Sequence, residues 1–299
     1  MYSLLSFLIF IKKTKMEITE NFYKEEKRSG WIVSEQAKKI WAKELELYSE
    51  LERICKKYDI KYFAEGGTLL GAVRHEGFIP WDDDMDIAML RDDYNKFCEV
   101  ASSELSEPFF FQNNKTDNVN YLFSRIRNSN TAAVPVKGIP YTDYTNHGIF
   151  IDIFPLDSLP DNVEEQDKVF ADIKSLKNAL KSSLTSEERA NAINNLEVYF
   201  NELNKRNDSS NYTIYGLPKS NCFIRPKSLY DESIMLPFEM IEIPVMKDYE
   251  DALNYHYGDW NIYVIGGSYH FLRTIDTEHS YNAYRNQEPI IDYNKTLEK

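Results

Sequence analysis

A cluster of aspartates that runs directly into an apolar segment most limits how this chain can fold. Four aspartates fall within the five positions 82–86, and Ile87-Ala88-Met89-Leu90 follows at once. Neighbouring carboxylates near a protein surface repel each other by about 1 kcal/mol or more. Acidic runs are usually solvated loops, but this one lies between Trp81 and an apolar run. The pattern therefore predicts carboxylates held at the start of a buried strand by a divalent cation.

The alternation of side chains in a strand indicates which carboxylates act together. In a strand predicted over residues 84–90, Asp84 and Asp86 lie on one face, while Met85 and Ile87 pack on the other. Counted as a calcium-binding loop from Asp82, the same run lacks the required glycine at its sixth position. We therefore expect Asp84 and Asp86 to be both catalytic and metal-binding residues.

A third carboxylate comes from a later strand, predicted over residues 147–157. Asp152 stands there between Ile151 and Ile153, and an aspartate among apolar neighbours is costly to bury without compensation. A metal shared with Asp84 and Asp86 would compensate it. Because Mg²⁺ prefers oxygen ligands and takes few carboxylates, we expect Mg²⁺ or Mn²⁺. Asp152 is either a metal ligand or a general base.

A glycine-rich turn precedes the aspartates. Gly66-Gly67-Thr68 follows a predicted strand and leads into a predicted helix, so its backbone N–H groups can approach a phosphate. The chain has neither a P-loop lysine motif nor a dinucleotide-binding glycine pattern. We therefore predict that Gly66, Gly67 and Thr68 bind a phosphate of the substrate.

Four further residues are candidates for substrate binding. Arg74 and His75 are expected to reach phosphate oxygens, and the alternative for Arg74 is that it neutralises the aspartates structurally. Arg125 and Arg127 share one face of a predicted strand, which suits either a diphosphate clamp or surface salt bridges.

Periodicity predicts an α+β fold with a short mixed sheet flanked by helices. A helix is expected from Ser34 to about Tyr58, further short elements alternate up to residue 160, and residues 162–206 have helical spacing. One extended stretch is expected over residues 236–245 and a helix over residues 249–257. We predict an N-terminal tail (1–33), a catalytic core (34–160) and a mostly helical C-terminal part that completes the substrate site (161–299).

Charge and the N-terminal residues limit the partners and the location. A net charge of −13 argues against a nucleic-acid partner, which requires a basic patch. The apolar run over residues 2–11 is shorter than the roughly 20 residues of a membrane-spanning helix, and its lysines follow it, unlike those of a signal peptide. We expect a tail with at most weak membrane-surface association, and a cytoplasmic protein that works either free or at the inner membrane face.

The motifs together resemble the LicD family, which includes bacterial phosphocholine transferases and is related to fukutin-type enzymes. The similarity lies in GGTLLGAVRHEGFIPWDDDMDIAM, in HGIFIDIFPLD, and more weakly in Tyr257-Gly258-Asp259-Trp260. The resemblance implies a nucleotidyltransferase-like core. It also implies a CDP-activated donor such as CDP-choline, and a cell-surface glycan, for example lipopolysaccharide, as acceptor.

The chemistry that this resemblance implies is an in-line phosphoryl transfer with CMP as the leaving group. Two alternatives stay open at this point. The first alternative is a nucleotidyltransferase that attaches a nucleotide to a small molecule or protein. The second is a non-catalytic relative that binds a nucleotide or glycan. The sequence does not predict the head group, the acceptor sugar or the oligomeric state.

Overall fold

A computed structural model describes residues 16–135, 144–217, 223–266 and 273–285. Within these ranges the α-helices are α1 (Glu35–Tyr58), α2 (Gly66–His75), α3 (Arg91–Glu104), α4 (Val163–Ser182), α5 (Ser186–Asn204) and α6 (Tyr249–Tyr257). The β-strands are β1 (Glu26–Arg28), β2 (Trp31–Val33), β3 (Phe63–Ala64), β4 (Asp86–Leu90), β5 (Phe109–Gln112), β6 (Ser124–Asn128), β7 (Ala132–Pro135), β8 (Ile149–Leu159), β9 (Asn211–Thr213), β10 (Arg225–Pro226), β11 (Ser233–Phe238), β12 (Ile241–Met246) and β13 (Arg273–Asp276).

The main sheet is built around β8. Its strands follow the order β10-β9-β8-β4-β3, and β6 joins β5 to β8. β4 pairs with β8 in parallel, whereas β6 and β9 pair with β8 in antiparallel orientation. Every residue of β8 is buried, which explains its nearly continuous apolar sequence. Mixed strand directions with helices against the sheet confirm the predicted α+β class.

Helix α1 supplies the largest part of the core that supports the sheet. The Ser34 hydroxyl accepts the Ala37 N–H at 3.2 Å and caps the first turn. Trp41, Leu45 and Leu51 lie on its buried face, and the helix packs against β8 and β6. It ends at Asp59, whose left-handed backbone (φ 51°) closes the last turn. The predicted helix from Ser34 to about Tyr58 is confirmed.

A tight connection links α2 to β4. A Cβ at Gly71 would overlap the carbonyl oxygen of Gly77, so only glycine lets the chain fold back against the helix here. β4 begins at Asp86 and not at Asp84 as predicted, because β8 first pairs with it at Asp86. Asp84 lies in the extended connection just before the strand.

The C-terminal part combines helices with small sheets. α4 and α5 pack together over a separate apolar cluster that includes Val169, Ile173 and Phe200. The extended stretch predicted over residues 236–245 is instead the hairpin β11–β12, which turns at Glu239 with φ 54°. α6 ends at Gly258 as predicted.

The segment predicted as an N-terminal tail contains structure where it is described. β1 and β2 form a hairpin in which Arg28 donates to both carboxylate oxygens of Glu239, at 2.5 and 3.1 Å. Residues 1–15 and the tail after residue 285 lie outside the described ranges. No helix in the described ranges has the length and apolarity needed to cross a bilayer.

Candidate active site

Three carboxylates come together where β4 and β8 begin to pair. Asp86 stands opposite Asp152 in the register of the two strands, and the Asp152 N–H donates to the Met85 carbonyl oxygen at 2.9 Å. Asp84 precedes the strand by two residues. The sheet thus brings the later aspartate to the earlier pair, although they lie far apart in the sequence.

These carboxylates form one wall of a large cavity. Its volume is about 760 Å³. The lining residues are Gly67, Leu70, Arg74, Ile79, Trp81, Asp82, Asp84, Asp86, Asp152, Phe154, Leu217, Phe223, Tyr257, Asp259, Trp260, Ile262 and Val264. The combination of an acidic wall with apolar and aromatic walls is typical of a small-molecule site.

The electrostatics of the acidic wall favour a cation. Burial, together with repulsion from Asp86 and Asp82, raises the pKa of Asp84 well above its usual value. Burial, together with repulsion from Asp152 and Asp82, raises the pKa of Asp86 in the same way. Both side chains keep some accessible surface at the cavity. A divalent cation placed there would remove the repulsion that causes part of each shift.

Asp152 already has a positive partner in the protein. Arg125 Nε donates to Oδ1 at 2.5 Å and Nη2 donates to Oδ2 at 3.3 Å. The guanidinium carbon lies 4.0 Å from the centre of the Phe150 ring, so packing fixes the arginine. Arg125 therefore neutralises and orients Asp152. The sequence predicted that a metal would compensate the burial of this aspartate, and the structure shows that an arginine does so.

The first turn of α2 approaches the aspartates closely. A Cβ at Gly67 would lie 2.7 Å from Asp82 Oδ2, so the glycine leaves room for that carboxylate. The Thr68 hydroxyl accepts the Asp86 N–H at 2.8 Å and so fixes the start of β4. The Gly66 N–H donates to the Glu65 carboxylate at 3.0 Å. Of these three predicted phosphate-binding residues, Gly67 alone lines the cavity.

The remaining predicted substrate-binding residues take different positions. Arg74 lines the cavity, and its Nη1 donates to the carbonyl oxygens of Trp260 and Ile262 at 2.9 and 3.3 Å. His75 lies beside Ser29, and burial lowers its pKa to about 4, so it is neutral near pH 7. A neutral imidazole does not balance the charge of the aspartates.

Arg127 points into the sheet region behind the cavity. Its Nε donates to Gln112 Oε1 at 2.5 Å and its Nη1 to the Gly148 carbonyl oxygen at 2.7 Å. Like Gly66, Thr68, His75 and Arg125, it is not among the residues that line the cavity. A substrate contact for these five residues stays a prediction.

The comparison with known proteins adds to this geometry. The family profile described as LicD/FKTN/FKRP, nucleotidyltransferase domain, matches residues 59–181, a range that contains all three carboxylates. The lipopolysaccharide cholinephosphotransferase LicD of Haemophilus influenzae is 25% identical over 238 residues, which are 72% of this chain and 88% of that protein. Over this range the chain is similar to the LicD family, as its motifs predict.

Other relatives match a shorter stretch of this chain. An uncharacterized Rickettsia typhi protein is 46% identical over 55 residues, 18% of each chain. The human ribitol 5-phosphate transferase FKRP is 48% identical over 45 residues, which are 15% of this chain and 9% of FKRP. The predicted resemblance to the LicD family is confirmed, and the LicD and FKRP relatives are named as transferases of phosphate-linked groups.

The residues of the acidic wall suit a hard divalent cation chemically, although the described ranges contain no complete, preformed ligand set. Asp84 and Asp86 offer carboxylate oxygens, and the raised pKa of each reflects burial and repulsion from neighbouring carboxylates. In the described ranges, however, no three Asp, Glu, His or Cys side chains are arranged as a ready-made metal centre. Metal binding by Asp84, Asp86 and Asp152 therefore stays a prediction that requires side-chain adjustment.

Two parts of the site were not predicted residue by residue. Three residues of the C-terminal part also line the cavity, namely Phe223, Trp260 and Ile262. For Trp260 the weak family similarity at residues 257–260 was the available signal. Arg225, 1% exposed, forms a buried ion pair with Glu65 at the start of α2. Local patterns give no signal for a pair so distant in sequence.

Proposed function

We propose that this protein transfers a phosphorylated head group, such as phosphocholine, from a CDP-linked donor to a hydroxyl of a glycan, with Mg²⁺ or Mn²⁺ as cofactor. The coarser activity, transfer of a phosphate-linked group, is supported by the names of its relatives. The CDP donor, the glycan acceptor, the metal and a cytoplasmic location are the proposed refinements.

One observation carries the proposal. Asp84 and Asp86 lie with raised pKa values on the wall of a 760 Å³ cavity, inside the range that matches the LicD profile. A diphosphate brings further negative charge to such a wall, so a cation must accompany it. An acidic cavity without a cation would repel the donor.

The proposal gives each side chain a role. Asp84 and Asp86 would hold the metal, and Arg125, which pairs with Asp152, would keep that carboxylate directed at the same region. Bound Mg²⁺ supplies positive charge to the diphosphate and to the departing phosphate of CMP. Asp152 either completes the ligand set or accepts the proton of the attacking hydroxyl.

The bond changes define the reaction. The acceptor oxygen bonds to the phosphorus that bears the head group, and the bond from that phosphorus to the oxygen of CMP breaks. The hydroxyl proton leaves to a base at the site, and CMP carries away the electron pair of the broken bond. Gly67, in the first turn of α2, lines the cavity, and its N–H group would donate to a phosphate oxygen bound there.

The second candidate, nucleotidyl transfer, differs in its products. The family profile names a nucleotidyltransferase domain, and such an enzyme attaches the nucleotide itself and releases pyrophosphate from a nucleoside triphosphate. The purified protein is therefore incubated with Mg²⁺ and either CDP-choline, other CDP- and UDP-linked donors, or CTP and UTP. Chromatography should detect CMP from a CDP-linked donor. Pyrophosphate from a triphosphate, without CMP from any CDP-linked donor, would establish the second candidate instead.

A further inference from the structure

The opening of the cavity carries an exposed apolar loop, here called the mouth loop (residues 260–265). Its side chains Ile262, Val264 and Ile265 are 62%, 67% and 57% exposed. Ile262 and Val264 also line the cavity. Apolar side chains exposed singly are ordinary, but a consecutive run at a functional opening indicates an interaction surface.

Contacts with helix α2 hold the mouth loop in place. Arg74 on α2 donates to the carbonyl oxygens of Trp260 and Ile262. The Arg74 guanidinium lies 4.5 Å from the centre of the Tyr263 ring, and that ring also contacts His75 and Trp81. The backbone of the loop is therefore anchored, and Ile262, Val264 and Ile265 remain largely exposed at the cavity opening.

The composition of this surface favours lipid over a protein partner. The chain is 28% charged, yet no charged residue occurs from Trp260 to Tyr269. Tyr255 and Tyr257, 60% and 38% exposed, precede the loop on α6. Aromatic rings beside aliphatic side chains are typical of segments at a membrane–water interface. Charged groups that would guide a specific protein partner are missing from the mouth loop.

We propose that the mouth loop docks the active-site opening onto a lipid bilayer, so that a lipid-borne glycan acceptor reaches the cavity from the membrane surface. The inference rests on the proposed function for the identity of the acceptor. Docking depends on insertion of Ile262, Val264 and Ile265 and not on charge, because the net charge of −13 opposes attraction to anionic lipids.

The test measures binding of the full chain to phosphatidylcholine vesicles by flotation. Ile265→Asp and the double variant Ile262→Asp/Ile265→Asp are compared with Leu184→Asp/Val198→Asp, a control at apolar residues that are 93% and 53% exposed outside the mouth loop. We expect the wild type and the control to float with the vesicles, and the double mouth-loop variant to bind at least about tenfold more weakly. Thermal unfolding checks that each variant is folded.

Two outcomes overturn the inference: wild-type protein that does not bind the vesicles, or mouth-loop variants that bind as well as the control. The apolar run over residues 2–11 is present in every variant, so membrane binding through that run would leave all variants equal. CMP release from a CDP-linked donor is recorded in parallel in vesicle-free buffer, both with water alone as the acceptor and with an added glycan that carries free hydroxyls. Absence of CMP under both conditions would refute the proposed function, while loop-dependent vesicle binding would still establish the docking surface.

Discussion

At the scale of single residues, the three carboxylates of the cavity wall differ in their surroundings. Arg125 neutralises Asp152 across the register of β6 and β8. Asp84 and Asp86 are different, since burial and repulsion raise the pKa of both. The folded protein therefore binds protons at these groups more readily than the unfolded chain does. Their contribution to stability is fully present below the unfolded pKa of about 4 and is lost as the pH rises through the raised pKa.

This linkage gives a prediction for the metal-free protein. In EDTA, Asp86→Asn should lose less stability than the wild type as the pH rises from about 4 to 7, because the variant lacks one repelling carboxylate and relieves Asp84 as well. Near pH 7 we expect the variant to be about 1 kcal/mol more stable. Urea unfolding at several pH values measures the difference between the two proteins.

The matched control is Asp92→Asn, which removes an exposed aspartate in the first turn of α3. It should follow the wild-type pH dependence closely. If Asp86→Asn and Asp92→Asn change the pH dependence equally, the repulsion at the cavity wall is not the cause.

At the scale of secondary-structure elements, a buried ion pair joins the start of α2 to β10. Glu65 caps α2 by accepting the Gly66 N–H, and its carboxylate pairs with Arg225 and accepts the Tyr230 hydroxyl at 3.3 Å. Both charged side chains are 1% exposed or less. The pair fixes the helix that carries Gly67 and Arg74 to the C-terminal part of the chain.

The contribution of this pair can be measured with a double-mutant cycle. Arg225→Met leaves Glu65 buried without its cation and should cost about 3–5 kcal/mol of unfolding free energy. Glu65→Gln combined with Arg225→Met removes both charges and should cost less than Arg225→Met alone. Urea unfolding of the single and double variants measures the coupling. If Arg225→Met and the double variant lose equal free energy of unfolding, the pairing of the two charges contributes nothing.

Long periodic elements were predictable from the sequence, whereas turns without a sequence signal were not. α1 and α6 follow from apolar spacing and from Ser34 and Gly258 at their ends. The β11–β12 hairpin was missed because its turn, Phe238-Glu239-Met240-Ile241, contains neither glycine nor asparagine. Glu239 adopts the left-handed conformation there while its carboxylate pairs with Arg28, a tertiary contact that local patterns do not reveal.

At the scale of the whole molecule, the cavity is assembled from distant parts of the chain. The acidic wall could be predicted from the sequence, because an aspartate in an apolar strand is costly to bury without a compensating charge. Further lining comes from Leu217 and Phe223, whose ordinary apolar character gives no local sign of a role, and from Tyr257 and Trp260, for which the weak family similarity was the only signal. Pairing between β4 and β8 and the contacts of Arg74 with the mouth loop bring these parts together.

The central claim, that Asp84 and Asp86 bind the metal that supports head-group transfer, is tested most directly by metal-dependent CMP release. Turnover of a CDP-linked donor is measured over a Mg²⁺ titration for the wild type, Asp84→Ala, Asp86→Ala and the control Asp92→Ala, with circular dichroism to check the fold. We predict saturable Mg²⁺ dependence in the wild type and the control, and at least a hundredfold loss in both cavity variants. Near-normal turnover by a folded Asp84→Ala or Asp86→Ala variant would contradict the account.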